Sequence, residues 1–555
     1  MTMDRNERNR LSAEWAAYGD ALGFMTELAD AERVQYRIGS GQVHDTVAWK
    51  RKVGGYNGVS TDLPAGSYSD DTQLRLSTSR AIRGDGSFDV AAFAKVELPA
   101  WANYALGAGA GSREAASNLA RTSATWYSNF FNSKRSNYVR AGGNGAAMRI
   151  QPHVWAAPDL ADTAAILLDV VRNSVCTHGH PRGILGACLH ALTLAFAMRE
   201  GRAAKLPDIQ RFVEELRLVP NVVREDGDFR LFWLEAWAES SQMSFEDGVS
   251  QVLDEMLEDI GKLGRSDSGG FSDIYANAID AIGARDPSSR GSGTKTAILA
   301  AFAASLADVS DPKSMLLTLI NALGSDTDSI ATMAGAIVGA VTTRECDGAV
   351  QDREYIRSEA HRLAIVAGGG KATSFRYPDL RSWKPARAAV DAIGLLNGRL
   401  WLSGLGPLEP VAGLATREVG GDTIGWYSLP FGQTILTRIR SSPNVISLER
   451  SGSDKRGDNV DGRSAAEPPG KLRDLFGQDG GKRTGEKLEA AGDLESLSLN
   501  ELLHRVINAG FSPELIGQVL LRQVDAGGRD FVERGVALTA NILTAYEART
   551  KRRRN

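Results

Sequence analysis

Apolar residues at helical spacing recur through the first 370 residues of this chain and limit what it can fold into. They are clearest in segments such as "DTQLRLSTSRAI", "DTAAILLDVVRNSV", "TAILAAFAASLADV" and "DSIATMAGAIVGAVTT". Spacings of three and four residues place apolar side chains on one face of an α-helix. The abundant alanine in these segments favours helix. Because alternating strand patterns are nearly absent, we predict a compact all-α domain over residues 10–370.

The character of the chain changes after residue 370. Residues 371–450 include "TIGWYSLPFGQTILTRIR", whose β-branched and aromatic residues predict a small β-containing extension. Residues 451–494 are charged, glycine-rich and almost free of aromatic residues, which is typical of a flexible linker. Residues 495–555 return to helical spacing. We predict a small helical module there, of a kind suited to binding a protein partner.

Composition excludes several classes of function. The chain has 555 residues and a net charge of −4, so it lacks an overall field that would attract nucleic acid or an anionic membrane. Its three cysteines are too scattered for a disulfide framework or a thiolate zinc site, and their sparing use fits a reducing compartment. We see neither a signal peptide nor a run of 18 apolar residues. We therefore expect a cytoplasmic protein that does not span a membrane.

Two acidic motifs lie where buried helices are predicted to begin. An aspartate at a helix N-terminus is most often only a cap, and either motif alone would be interpreted that way. Two such motifs, each with a doubled acid, instead favour a shared site. Carboxylate and hydroxyl oxygens suit Mg²⁺ or Mn²⁺ better than zinc, and four carboxylates can hold two cations. The motif residues are Ser69, Asp70, Asp71, Asp326, Asp328 and Ser329.

Two further segments, "GNGAAMR" and "THGHPR", carry candidate binding residues. Gly143, Asn144 and Gly145 fit either a plain turn or a loop whose backbone N–H groups bind phosphate. His178 is either a hydrogen-bonded structural histidine or a binding residue. Neither segment decides the question by itself.

Taken together and in this order, "GDALG" with the following Glu27, "SDDTQ", "GNGAAMR", "THGHPR" and "GSDTDSIATMAGAIVGA" resemble the ADP-ribosylglycohydrolase family. The motifs span residues 15–365. The resemblance implies an all-α fold, a binuclear Mg²⁺ or Mn²⁺ centre, and hydrolysis of the bond between C1″ of ADP-ribose and an acceptor.

The resemblance also implies roles for individual residues. The six motif residues named above would hold the two cations, and Asp70, Asp71 and Asp328 would take part in catalysis with Glu27. Gly143, Asn144 and Gly145 would hold the diphosphate, and His178 would line the ADP-ribose site. Ser69 and Ser329 stand where the family usually has threonine and keep the hydroxyl. Ser325 replaces a glycine, and we expect it to narrow the approach to the cations.

No aromatic residue directly precedes Gly143, so we expect the adenosine to stack elsewhere, with Tyr138 as the candidate. For the acceptor we favour a modified protein. The alternatives are an ADP-ribosylated nucleic acid, a small ADP-ribose derivative, and a domain that binds ADP-ribose without cleaving it. A nucleic-acid acceptor would require the loop with Lys134, Arg135 and Arg140, or the basic C-terminal tail, to bind phosphates.

Overall fold

The structure is a computed structural model, and it describes residues 3–53, 58–264, 269–446, 498–525, 535 and 537–546. The chain forms two compact units, Met1–Ser453 and Asp454–Asn555. The predicted linker, residues 451–494, lies outside the described residues. The predicted all-α core followed by a strand-containing segment and a small helical module is confirmed as the fold class.

The first unit is built mainly of α-helices, and the long helical segments of the sequence are among them. These helices are Arg5–Phe24 (α1), Ala31–Ile38 (α2), Asp70–Ala81 (α3), Val90–Ala92 (α4), Leu98–Tyr104 (α5), Ala110–Leu119 (α6), Gln151–Ala156 (α7), Thr163–Val175 (α8), Pro181–Glu200 (α9), Leu206–Glu215 (α10), Val219–Glu225 (α11), Leu234–Ser241 (α12), Phe245–Leu263 (α13), Phe271–Ala281 (α14), Gly293–Leu306 (α15), Pro312–Asn321 (α16), Thr327–Gly339 (α17) and Arg353–Ala367 (α18).

Helices α1 and α17 pack together at the centre of the core, at a distance that only small residues allow. A Cβ on Gly335 would lie 2.4 Å from the carbonyl oxygen of Trp15, and a Cβ on Gly23 would lie 2.4 Å from the Cα of Asp328. Glycine has no Cβ, so the two backbones can approach this closely. The contact sets the second acidic motif beside the end of α1, a few residues before Glu27.

A two-stranded hairpin interrupts residues 10–370, for which the sequence predicted only helices. Strands Trp49–Val53 (β1) and Val59–Leu63 (β2) pair antiparallel, with Trp49 opposite Leu63. Trp49 and Leu63 are buried while most of the other hairpin side chains are partly or fully exposed. Burying only a few apolar positions on one face leaves a weak strand pattern among many Gly, Ser and Thr residues, which is why the sequence did not reveal it.

The extension forms two small sheets. Their strands are Ile393–Leu396 (β3), Arg399–Leu402 (β4), Gly406–Pro407 (β5), Glu409–Pro410 (β6), Arg417–Val419 (β7), Asp422–Ser428 (β8), Thr434–Ile439 (β9) and Asn444–Val445 (β10). In the first sheet the strand order is β10-β3-β4-β5, and in the second β8 pairs with β6, β7 and β9.

The extension packs directly on the helical core within the first unit. The buried Arg80 guanidinium of α3 binds Glu97 at 2.8 Å and donates to Gln433 Oε1 at 2.8 Å. Trp383 Nε1 donates to the carbonyl of Lys95 at 2.7 Å. The change in sequence character at residue 370 is therefore a change in secondary structure inside one compact unit.

Helix α9 is long and apolar enough to cross a membrane by length and composition, although no uninterrupted apolar run marks it in the sequence. It is almost wholly buried inside the core, as the central helix of a globular domain also is. In the second unit the described helices include Leu499–Asn508 (α19) and Pro513–Asp525 (α20), and residues 537–546 are also helical. Ser498 and Glu501 cap α19 reciprocally.

Candidate functional site

One cavity of about 430 Å³ brings together residues from distant parts of the sequence. We call it the acidic cavity. Every catalytic, metal-binding and diphosphate-binding residue proposed from the sequence lines it except Ser69, and Tyr138, the proposed stacking residue, does not line it either. The sequence-proposed lining residues are Glu27, Asp70, Asp71, Gly143, Asn144, Gly145, His178, Asp326, Asp328 and Ser329.

The first acidic motif is fixed by hydrogen bonds at the start of α3. Ser69 caps the helix, and its hydroxyl accepts from the backbone N–H of Asp71 at 3.2 Å. Asp20 accepts from the N–H groups of Ser69 and Thr72, both at 2.9 Å, and from the Thr72 hydroxyl at 2.5 Å. With these groups held, Asp70 and Asp71 are left to face the cavity. Asp20 lies in the "GDALG" segment, but its bracing role was not evident from the sequence.

The second acidic motif opens α17. Asp328 Oδ1 accepts from the Ser329 N–H at 3.0 Å, and Asp326 Oδ2 accepts from Asn144 Nδ2 at 3.0 Å. Ser325 is buried and donates to the carbonyl of Ala322 at 2.9 Å. It is absent from the cavity wall, so the expectation that it narrows the approach is wrong. The positive φ of this loop, 88°, falls on Gly324 instead.

The carboxylates are buried and close enough to repel one another. Burial raises the pKa of Asp70 well above its usual value, and Glu27 and Asp20 raise it further. Burial also raises the pKa of Asp71, with Asp20 and Asp70 adding to it. The pKa of Asp328 is likewise raised, mainly by burial and further by the charges of Glu27 and Asp71. A cluster of this kind is stable in its charged form only when positive charge compensates it.

The oxygen atoms that line the acidic cavity are suited to binding a cation. Asp71 Oδ2 is a buried oxygen with no hydrogen-bond partner among the described residues. An unpaired buried carboxylate oxygen is costly, and a hard cation satisfies it. Within the described ranges, no three His, Cys, Asp or Glu side chains are placed so that they could hold a metal ion by themselves. Hydroxyl oxygens would have to complete the ligand set.

Glu27 has a basic partner that the sequence did not indicate. Arg51 of β1 donates to Glu27 Oε2 at 2.8 Å, and its guanidinium lies 4.2 Å from the centre of the Phe24 ring. Burial raises the pKa of Glu27, Arg51 opposes that rise, and Asp326 reinforces it. The pair links the hairpin to the acidic cavity.

The glycine-rich loop packs against His178. A Cβ on Gly145 would lie 2.8 Å from Ser112 Oγ and 2.9 Å from His178 Cε1, so this position has no room for a side chain. The N–H of Asn144 donates to the carbonyl of Gly291 at 2.9 Å. That N–H is therefore not free to bind a ligand. The side chain of Asn144 instead donates a hydrogen bond to Asp326.

His178 is oriented by a buried arginine from "GNGAAMR". Thr177 Oγ1 lies 2.7 Å from His178 Nδ1. Arg149 donates to Thr177 Oγ1 at 2.9 Å and to the carbonyl of Gly145 at 3.0 Å. Burial and the charge of Arg149 lower the pKa of His178 to about 3, which keeps the imidazole neutral. Arg149 thus ties the loop and the histidine together.

Tyr138, the residue expected to stack on adenosine, lies in the core. Its hydroxyl donates to the carbonyl of Val175 at 2.8 Å and accepts from Trp233 Nε1 at 2.8 Å. A Cβ on Gly179 would lie 2.4 Å from its ring. The ring is 1% exposed and is not part of the cavity wall, so that expectation is wrong.

Two acidic helix N-termini and a glycine-rich loop surround one cavity in a helical core. This arrangement is characteristic of one class of protein, and comparison with known proteins identifies that class. Residues 8–366 match the ADP-ribosylglycohydrolase family. The chain belongs to that family. A solved structure, called "ADP-ribosylglycohydrolase-related protein complex", is 18% identical over 65% of this chain and 99% of its own, with a TM-score of 0.41. The family assignment supports hydrolysis of an ADP-ribosyl glycosidic bond, and hence an ADP-ribosylated substrate.

Proposed function

We propose that this chain cleaves ADP-ribose from a modified protein by hydrolysing the bond at C1″. One observation carries the proposal. The two acidic motifs, which are far apart in the sequence, line the same cavity as Glu27 and the glycine loop. Neither motif needs two buried acids if capping is its only task. A shared role at one reacting centre accounts for both.

Two Mg²⁺ or Mn²⁺ ions would be held by oxygen ligands from both motifs. The proposed ligands are Ser69, Asp70, Asp71, Asp326, Asp328 and Ser329. Bound there, such ions would supply positive charge that orients ribose hydroxyls and lowers the pKa of a water molecule. Asn144 holds Asp326 in place through its 3.0 Å hydrogen bond.

The chain's own residues then perform three tasks. The loop of Gly143–Gly145, together with neutral His178, binds the diphosphate and distal ribose and so orients the glycosidic bond. The Glu27 carboxylate takes the proton of the attacking water. The carboxylates of Asp70, Asp71 and Asp328 stabilise positive charge that develops at C1″ as the bond breaks.

Hydrolysis of a panel of ADP-ribosylated substrates tests the proposal. The panel holds arginine-linked protein, serine-linked protein, an ADP-ribosylated oligonucleotide and a small ADP-ribose ester. We expect the wild type to release ADP-ribose fastest from modified protein, to lose activity after chelation, and to regain it with Mg²⁺ or Mn²⁺. Asp328→Asn should be inactive, whereas Asp308→Asn, which changes an exposed aspartate, should match the wild type.

Two results would contradict the proposal. If the Asp328→Asn variant hydrolysed substrate as fast as the wild type, the carboxylate of Asp328 would not be catalytic. If the wild type bound ADP-ribose tightly with every cation supplied and cleaved no substrate, the domain would be a binding module. Preference for the oligonucleotide or the ester would replace the protein acceptor with one of the alternatives.

A further inference from the structure

A second cavity, of about 570 Å³, lies between the helical core and the extension. We call it the basic cleft. Its walls come from the hairpin strand β1, from the end of α5 and start of α6, and from strand β9. Its polar lining residues are Arg51, Lys52, Asn103, Arg113, Thr437 and Arg438.

The basic cleft carries one sign of charge. Four of its lining residues are lysine or arginine, and none of its lining residues in the described chain is acidic. Arg438 is an exposed residue of strand β9 and pairs with Asp422 at 2.7 Å. Arg113 is exposed and donates to the carbonyl of Ala108 at 3.0 Å, with no carboxylate partner in the described ranges. Concave surfaces lined by cations concentrate anions, and arginine binds carboxylates with paired hydrogen bonds.

The two walls of the basic cleft are joined by specific contacts. Asn103 Nδ2 donates to the carbonyl of Ala389 at 2.9 Å, and its Oδ1 accepts from the hydroxyl of Thr437. Trp426 Nε1 donates to the carbonyl of Asp62 in the hairpin at 3.3 Å. The extension, which follows the residues matched to the family, therefore supplies one fixed wall of the cleft.

Gly107 separates the basic cleft from the acidic cavity and lines both. A Cβ at this position would lie 3.0 Å from Asp70 Oδ1 and 3.6 Å from Glu27 Oε2. Arg51 also spans the boundary, since it lines the basic cleft and binds Glu27. At Gly107, the basic cleft therefore comes within a few ångströms of the carboxylates of the proposed reacting centre.

We propose that the basic cleft binds an acidic segment of the protein that carries ADP-ribose. Its identification as the acceptor's site rests on the proposed function, whereas anion binding does not. Partly exposed apolar residues beside the cations, including Val53, Ala105 and Val390, suit a polypeptide. Tyr104, the aromatic residue among the described lining residues, is 1% exposed and offers no ring for a base to stack on. Single-stranded nucleic acid usually needs such stacking.

Fluorescence anisotropy with the full-length chain tests anion binding independently of catalysis. The probes are a fluorescein-labelled dodecapeptide of alternating Glu and Ser, the same peptide with Gln for Glu, and a single-stranded DNA 12-mer. We expect only the Glu peptide to bind well, with affinity that falls as salt rises. Arg113→Ala with Arg438→Ala should weaken it about tenfold. Arg399→Ala, on an exposed arginine of the same extension, is the matched control.

A kinetic measurement then tests the link to the acceptor. The substrates are an ADP-ribosylated peptide with acidic flanks and ADP-ribosylated free arginine. In the double variant, KM for the peptide should rise about tenfold more than KM for the free arginine substrate.

The two proposals fail separately. If the wild type does not bind the Glu peptide, or if the double variant binds it equally well, the basic cleft is not an acidic-peptide site. Tighter binding of the DNA 12-mer makes it a nucleic-acid site instead and also overturns the proposal. If the wild type hydrolyses neither substrate, the proposed function fails while the anisotropy result stands. If it hydrolyses both and the double variant leaves both KM values unchanged, the basic cleft does not hold the acceptor.

Discussion

The acidic cavity and the basic cleft lie on opposite sides of one glycine and have opposite chemistry. The acidic cavity is lined by buried carboxylates that repel one another, and the basic cleft by lysine and arginine side chains. The acidic cavity is built within the residues that match the family, whereas the basic cleft needs strand β9 of the extension. In our two proposals, the helical core therefore catalyses the reaction and the extension contributes to substrate specificity.

The largest expected effect comes from removing one charge inside the acidic cavity. Asp70→Asn should lower kcat by about 10²–10³-fold, because the side chain keeps its shape and loses the charge that the transition state requires. The loss should be equal for small and protein substrates, as measured by initial rates of ADP-ribose release. A loss of activity confined to protein substrates would mean that Asp70 binds the acceptor protein. The two cavities would then not have the separate roles proposed for them.

Filling the boundary between the two cavities should have the next largest effect. Gly107 has a φ of 91°, and an added Cβ would lie 3.0 Å from Asp70 Oδ1. Gly107→Ala should strain the backbone, displace Asp70 and lower kcat by about tenfold or more. Gly109→Ala in the same loop is the control, since nothing lies within 4 Å of its added Cβ. Equal rates for both variants would show that the boundary tolerates movement.

Repulsion inside the acidic cavity should also appear in stability. The pKa of Asp71 is raised in the folded state from its ordinary value of 3.8. Between pH 3.8 and the raised pKa, the folded state therefore binds more protons than the unfolded state. The free energy of unfolding consequently falls as the pH rises through that range. With cations chelated at pH 8, Asp71→Asn should increase the free energy of unfolding by about 1–3 kcal/mol.

Urea denaturation monitored by circular dichroism measures that gain. It should shrink as the pH is lowered towards 4, where the wild-type carboxyl becomes protonated. Asp308→Asn should give no comparable gain, because that side chain is exposed. A destabilised Asp71→Asn would mean that hydrogen bonds, rather than charge repulsion, dominate at this position.

The smallest expected effect concerns Arg51, which lines the basic cleft and donates to Glu27 of the acidic cavity. Arg51 opposes the rise in the pKa of Glu27. Arg51→Gln should therefore raise that pKa and move the acidic limb of the kcat/KM profile to higher pH by about one unit. Lys50→Gln, on an exposed neighbour in the same strand, should leave the profile in place. An unchanged profile in Arg51→Gln would mean that Glu27 does not set the acidic limb.

The residues proposed for catalysis could largely be predicted from the sequence, whereas the residues that support them could not. Paired acids at helix starts report their chemistry locally, so Asp70, Asp71, Asp326 and Asp328 were found before the fold was known. Arg51 gives no such signal, because its partner Glu27 is 24 residues away on another element. Tyr138 was chosen only for its position before the glycine loop, and packing against Gly179 places it in the core.

Periodicity and residue chemistry by themselves determined the helical core and the two acidic motifs, and the order of the motifs resembled one family. These are properties of short segments, since a helix face and a carboxylate pair are set by neighbours along the chain. Only the tertiary structure decided that the motifs meet in one cavity, that Asp20 and Arg149 brace it, and that the extension forms a cleft beside it. Those features depend on contacts between distant segments, and no local pattern encodes which segments will meet.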